Sequence, residues 1–127
     1  MIVDEIVALA LDVYPYECCG LLAATPGSDE VTHFYPCRNA AASARVYTVE
    51  PLDHLRAERH ADAEGWEIVG VVHSHTHTEP YPSPTDIAQA PDPGWHYVIV
   101  SLKRESAELR SYRIMAGVPS EEPLIAR

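Results

Sequence analysis

Two histidines, His73 and His75, stand two residues apart where an apolar run over residues 66–72 gives way to a polar, histidine-rich segment ending near Pro82. If the run is a strand, alternate side chains leave one face and the two imidazoles converge. Neutral imidazole is a good zinc ligand, and a catalytic zinc takes three protein ligands while a fourth position stays open to water. The third ligand must come from elsewhere in the chain. Asp86 is the natural candidate, because a helix starting at Pro84 aims its first-turn side chain back toward the strand end. Two neutral histidines and one carboxylate leave a Zn²⁺ site net positive, which favours hydroxide near neutral pH. One zinc per chain is the expected cofactor.

Each part also has a plainer explanation. An isolated pair of alternating histidines is a weak signal. Ser83, followed by Pro84 and then Asp86, is also a helix N-cap with a first-turn proline and an acid at the third helical position. The combination is far more specific: paired histidines at the end of a buried strand, a capped aspartate soon after, and a compact loop between them. The remaining histidines, His33, His54, His60 and His96, read as solvated or hydrogen-bonded residues, and His77 as a solvent-exposed loop residue.

The elements that must position these groups are legible from periodicity. Ile2, Ile6, Leu9 and Val13 repeat at helical spacing, so residues 2–13 form an amphipathic helix that Pro15 ends. Residues 18–24 are a continuous apolar strand, the Thr25-Pro26-Gly27-Ser28-Asp29 turn follows, and residues 31–37 make the second strand. Residues 45–49 alternate in β-prone types and predict a short strand. Pro51 then opens a helix carrying Leu52, Leu55 and Arg59 that stops at Gly65. Residues 66–72 are a central strand, 83–86 start a short helix, and 96–102 and 108–114 are two strands joined near Arg104. The tail from Met115 has two prolines and no clear period. This order predicts an α/β or α+β sandwich with a mixed sheet.

The chain's 127 residues suit a single domain over 1–127, and 46% hydrophobic with 22% charged residues is ordinary globular usage. Nineteen acids against nine bases give a formal net charge of -10, which disfavours nucleic acid and anionic membranes as partners. Asp4, Glu5, Asp12 and Glu17 interrupt the N-terminus before a membrane span or secretory signal could form. Cys18, Cys19 and Cys37 make neither a disulfide framework nor a CxxC pair, and read as reduced, buried packing residues in a cytoplasmic protein.

Gly70-Val71-Val72-His73-Ser74-His75, then Ser83-Pro84-Thr85-Asp86, resembles the signature of the JAMM (MPN+) zinc metallopeptidases: HxH, seven residues, SxxD. The family's upstream glutamate before a small-residue strand is similar to Glu17-Cys18-Cys19-Gly20-Leu21-Leu22. The likeness continues through Tyr47-Thr48-Val49-Glu50-Pro51 and Tyr97-Val98-Ile99-Val100-Ser101, from about Ile2 to Ile114. It implies an MPN/JAB-like domain, a mixed and mainly antiparallel sheet flanked by helices, of cytidine-deaminase-like kind. It further implies His73, His75 and Asp86 as zinc ligands, Glu17 as the general base that activates water and then protonates the leaving amine, and Ser83 as a donor to the oxyanion. Glu17 enters through the resemblance alone.

Many members have proline after the second histidine, where this chain has Thr76. The loop over 76–82 instead resembles a bacterial subgroup acting on ubiquitin-like sulfur-carrier proteins, removing a cysteine built on the carrier's C-terminal glycine, a step of cysteine biosynthesis. The chain lacks the long insertions of polyubiquitin-specific members. Residues 45–49 are then the candidate strand edge for the extended carrier tail, with the 76–82 loop as the opposite wall. Three rivals remain: a deubiquitinase-like isopeptidase, a metal-free MPN interaction module, and a histidine-triad nucleotide hydrolase, whose intervening positions are apolar where Ser74, Thr76 and Thr78 are polar.

Overall fold

A computed structural model describes residues 1–90 and 92–125. The chain runs α1 (Ile2–Val13), β1 (Cys19–Ala24), β2 (Val31–Cys37), α2 (Pro51–Glu64), β3 (Glu67–His75), α3 (Pro84–Ala88), β4 (His96–Ser101), β5 (Glu108–Met115) and β6 (Val118–Glu122). Six strands form one sheet in the order β2-β1-β3-β4-β5-β6. Every neighbouring pair is antiparallel except β3 and β4, which are parallel and joined by the crossover that carries α3. The expected mixed, mainly antiparallel sheet flanked by helices is the observed architecture.

The central strands are apolar on both faces because both are covered. Leu22, Val72, Val98 and Val100 pack with Ile6 and Ala10 of α1 on one side. Leu21, Val71 and Ile99 pack with Ala57 of α2, Tyr112 and Ile114 on the other. Helix α2 is closed at both ends: the Glu50 carboxylate accepts from the Leu52 and Asp53 N–H groups, and Gly65 ends the helix in the left-handed region at φ 77°.

Two expectations are corrected. Residues 45–49 are not a strand; Val49 makes only an isolated bridge to Asn39. The tail is not featureless: a turn through Ala116 and Gly117, both at positive φ, folds β6 back onto β5. As an edge strand β6 has no need of apolar alternation and tolerates Pro119, which is why its sequence hid it. In α2 Ala57 and Ala61 are the buried residues, while Leu52 and Leu55 are 45% and 42% exposed.

Candidate metal centre

The antiparallel register between β1 and β3 sets Cys19 opposite His73. Continued by two residues, it sets Glu17 opposite His75, with all four side chains on one face. The Ser74 hydroxyl points to the other face and accepts the Cys18 N–H at 2.7 Å, while the Ser74 N–H donates to the Cys18 carbonyl at 3.1 Å. The middle residue of the histidine pair thus pins the register that brings Glu17 to the site. Helix α3 begins at the same sheet end. Its capping box has the Ser83 hydroxyl accepting the Asp86 N–H and the Asp86 carboxylate accepting the Ser83 N–H, at 3.0 and 2.9 Å.

The two chemistries weighed for Ser83 and Asp86 coexist, because one atom serves both. Asp86 Oδ2, the oxygen bonded to the Ser83 N–H, also lies 3.1 Å from His73 Nε2 and 3.0 Å from His75 Nε2, and those two nitrogens are 3.2 Å apart. Ligand bonds of about 2.0–2.1 Å in a tetrahedron put ligand atoms about 3.3 Å from one another. The three atoms therefore match one face of such a tetrahedron, and all three residues are buried. His75 Nδ1 faces the Glu79 carbonyl at 2.8 Å. A carbonyl only accepts, so Nδ1 carries the proton and Nε2 offers its lone pair inward. The His73 ring lies against Tyr47, with centroids 4.3 Å apart and planes 16° from parallel.

Electrostatics reinforce the arrangement. Burial works against the charge on Asp86, but the two imidazoles beside it and the Ser83 N–H it accepts hold its carboxyl below the usual range. Burial keeps His73 neutral by lowering its pKa. Glu17 is the reverse case: burial pushes it up to about 7, with His75 pulling it down and Asp86 pushing it further up. Its Oε1 is buried without a hydrogen-bond partner. An orphaned carboxylate oxygen beside three converging ligand atoms fits a bound cation and its water.

The Glu17 backbone is held by the loop between β2 and α2. Its N–H donates to the Ser43 carbonyl at 2.7 Å, and its carbonyl accepts from Asn39 Nδ2 at 3.1 Å. Asn39 uses its whole amide: Nδ2 also donates to the Val46 carbonyl, and Oδ1 accepts the Ala41 and Thr48 N–H groups. Its side chain thereby does for residues 46–48 what a neighbouring strand would do, which is why 45–49 looks β-like in sequence yet joins no sheet. Thr76, where many members have proline, is buried and donates its hydroxyl to the Ala44 carbonyl, tying this loop to the one after β3. His77 is exposed as expected and meets the Tyr14 hydroxyl. Asn39, Tyr47 and Ser74 escaped sequence reasoning as site residues; the one available hint was Asn39, a hydrogen-bonding residue heading a run of small ones.

The other histidines behave as surface or satisfied groups: His54 faces Glu58, His60 faces Glu64, and His96 faces Glu122, while half-buried His33 stacks on Trp66. Burial pushes the Cys18 thiol up to about 11 and Cys19 to about 12, as befits packing residues rather than nucleophiles.

Residues 1–115 match the family model for prokaryotic homologs of the JAB domain. A CysO-cysteine peptidase of Mycobacterium tuberculosis is 40% identical over 124 residues, covering 97% of this chain and 85% of the relative. A desampylase of Haloferax volcanii is 38% identical over 88 residues, 68% of this chain and 63% of the relative. A solution structure of a Desulfitobacterium hafniense protein superposes with a TM-score of 0.88 at 32% identity, covering 97% of this chain and 86% of that one. A JAB1/MPN domain protein of Archaeoglobus fulgidus, at 19% identity and a TM-score of 0.59 over 94% of this chain and 88% of that one, shares the fold.

Proposed function

The chain belongs to the prokaryotic JAB-domain family of peptidases, and we propose that it is a zinc-dependent hydrolase of the amide after the C-terminal glycine of a ubiquitin-like sulfur-carrier protein, releasing cysteine. The observation that carries the metal half is the triangle of His73, His75 and Asp86 ligand atoms with the unpartnered Glu17 oxygen beside it. Zinc rather than a harder cation is favoured by two imidazoles and one carboxylate. The substrate half is supported by the mycobacterial relative, named for a cysteine adduct, and by the loop after His75, which carries no insertion.

Zinc bound there supplies an acidified water and polarises the carbonyl. Glu17, poised near neutrality, takes a proton from the attacking water and returns it to the departing amine, so that one water divides into a carboxylate and an ammonium product. Ser83 accepts the Asp86 N–H through its oxygen, which leaves its hydroxyl hydrogen free to donate to the carbonyl oxygen as it becomes anionic. The carrier tail pairs with the extended 45–49 segment. Asn39 and Ala40 occupy one side of that segment, and among the described residues no hydrogen bond uses the Tyr47 N–H or carbonyl. The three free cysteines, with Cys19 and Cys37 facing each other across β1 and β2, support a reducing, cytoplasmic setting.

Incubation of zinc-loaded protein with a carrier–cysteine adduct, a lysine-linked ubiquitin chain and a plain peptide, read by mass spectrometry, tests the substrate. The adduct should be cleaved fastest. Equal rates on adduct and ubiquitin chain would replace the carrier assignment with a general isopeptidase, and cleavage of none would favour a non-catalytic module.

A further inference from the structure

The proposed leaving group carries a charge that the site described above does not meet. A cysteine built on a carrier's terminal glycine has its α-carboxylate on the carbon bonded to the departing nitrogen. That carboxylate enters beside the scissile amide, where the buried acids Glu17 and Asp86 already stand in a protein of net charge -10. A lysine-linked amide brings no such group. A site that takes the cysteine adduct therefore needs a cation at this point, and one that takes a lysine-linked chain does not.

Cations are scarce in this chain and mostly committed. Arg38, Lys103, Arg104, Arg110 and Arg113 each have a carboxylate within ion-pair distance. Among the described residues Arg45, Arg56 and Arg59 have none, and of these three only Arg45 belongs to the loop that is hydrogen-bonded to the site. Two contacts put it there. Ser43 takes the Glu17 N–H on its carbonyl at 2.7 Å, and its hydroxyl accepts the Arg45 N–H at 3.0 Å. Ala44 takes the Thr76 hydroxyl on its carbonyl at 3.3 Å, and Thr76 directly follows His75. The Arg45 backbone is thus held between Glu17 and the histidine pair, while Arg45 itself is exposed and its guanidinium makes no hydrogen bond among the described residues.

The other polar groups on that wall are committed. The Ala44 carbonyl only accepts, so the Thr76 hydrogen points to it and Thr76 Oγ1 takes the His77 Nδ1–H at 3.0 Å. His77 Nε2 then accepts from the Tyr14 hydroxyl at 3.2 Å. Glu79, the one acid of the 76–82 loop, is paired with Arg104. A proline in place of Thr76 has no hydroxyl to offer Ala44, so this departure from the family pattern is what ties the Arg45 segment to the loop after β3.

We propose that the Arg45 guanidinium binds the α-carboxylate of the leaving amino acid and so selects a terminal amino-acid adduct over a lysine-linked amide. This rests on the carrier reading given above and names the group that reads the far side of the bond. A guanidinium meets a carboxylate through two parallel N–H···O bonds, which fix orientation as well as charge. The pair holds the departing amine in place for the proton that Glu17 returns.

Two tail peptides ending in glycine–cysteine, one with a free C-terminal carboxylate and one with a carboxamide, separate this subsite from the reaction. Each is titrated into zinc-loaded Glu17→Gln protein, alone and combined with Arg45→Lys or Arg45→Ala. With Arg45 present the free acid should bind about tenfold or more tighter than the carboxamide, the range for a charge-assisted pair. With Arg45→Ala the two should bind alike, and Arg45→Lys should return part of the preference. With Glu17 intact, kcat/KM should show the same preference and the same loss. Equal binding of the two peptides with Arg45 present would overturn the proposal. So would a preference that survives Arg45→Ala, which would assign the carboxylate to another group. Arg45-dependent preference in binding, without hydrolysis of either peptide or of a carrier–cysteine adduct by the wild type, would keep the subsite and discard the reaction.

Discussion

His73 and His75 bring their Nε2 atoms to 3.2 Å inside the fold, whereas His33 and His60, with ring centroids 5.6 Å apart, meet at its surface. The inner pair has a carboxylate oxygen within 3.1 Å of both rings and is almost wholly shielded from water. The outer pair is committed elsewhere, His60 to the Tyr35 hydroxyl at 2.7 Å and to Glu64, and His33 to the Trp66 face. Proximity of imidazoles is thus not what makes a metal centre. What distinguishes the inner pair is its surroundings: the Glu79 carbonyl turns the His75 lone pair inward, the Ser83 N–H holds the Asp86 oxygen, and the Tyr47 ring stacks on His73.

Substitutions should break the inner arrangement and leave the outer one indifferent. Asp86→Ala removes a ligand and should abolish both zinc retention and turnover, seen by metal analysis of the dialysed protein; Ser83→Ala should retain metal far better. Glu17→Gln should keep zinc and fold but lower turnover by a factor on the order of 10² to 10⁴, the range for removing a general acid-base group. If it lost zinc instead, Glu17 would be a ligand. Tyr47→Ala should weaken zinc affinity by about tenfold, as for loss of an outer-shell partner, with Tyr47→Phe restoring it because the contact is ring on ring. Replacing both His33 and His60 by alanine should change neither zinc content nor kcat.

A pH comparison sharpens the role of Glu17 in the metal-free protein. Its folded pKa, near 7, lies above the ordinary 4.5. Below about pH 4.5 the carboxyl is protonated whether folded or unfolded, and nothing is lost. As pH rises from 4.5 to 7 the unfolded chain releases the proton that the folded one still holds, so stability falls until both forms are ionised above 7. Metal-free Glu17→Gln should therefore be more stable than metal-free wild type at pH 8, by an amount on the order of 1–3 kcal/mol, and no more stable at pH 4. Urea unfolding of the two chelated proteins at both pH values reads this directly. A gain of equal size at pH 4 would mean that packing, not ionisation, separates them.

The candidate metal ligands were legible because their geometry is local. His73 and His75 follow from strand alternation, and Asp86 from a helix start that the sequence spells out in Ser83 and Pro84. Glu17 needed the β1–β3 register, which no local pattern encodes, and came only from family resemblance. The misreadings have the same origin. Residues 45–49 looked like a strand because they alternate in β-prone types, but the Asn39 and Ser43 side chains and the Ala40 N–H take up their backbone groups instead of a strand. In α2, helix periodicity gives a face without saying which face the sheet takes; Ala57 and Ala61 took it. Strand β6 was invisible because an edge strand beyond a tight turn can be polar throughout.

Zinc content against hydrolysis tests the central claim most directly. The purified chain is chelated exhaustively, then repleted stepwise with zinc, while cleavage of a carrier–cysteine adduct is followed by mass spectrometry. Activity should vanish on chelation, return in proportion to bound zinc, and saturate at one ion per chain. Full activity in a chelated protein free of zinc would contradict the account.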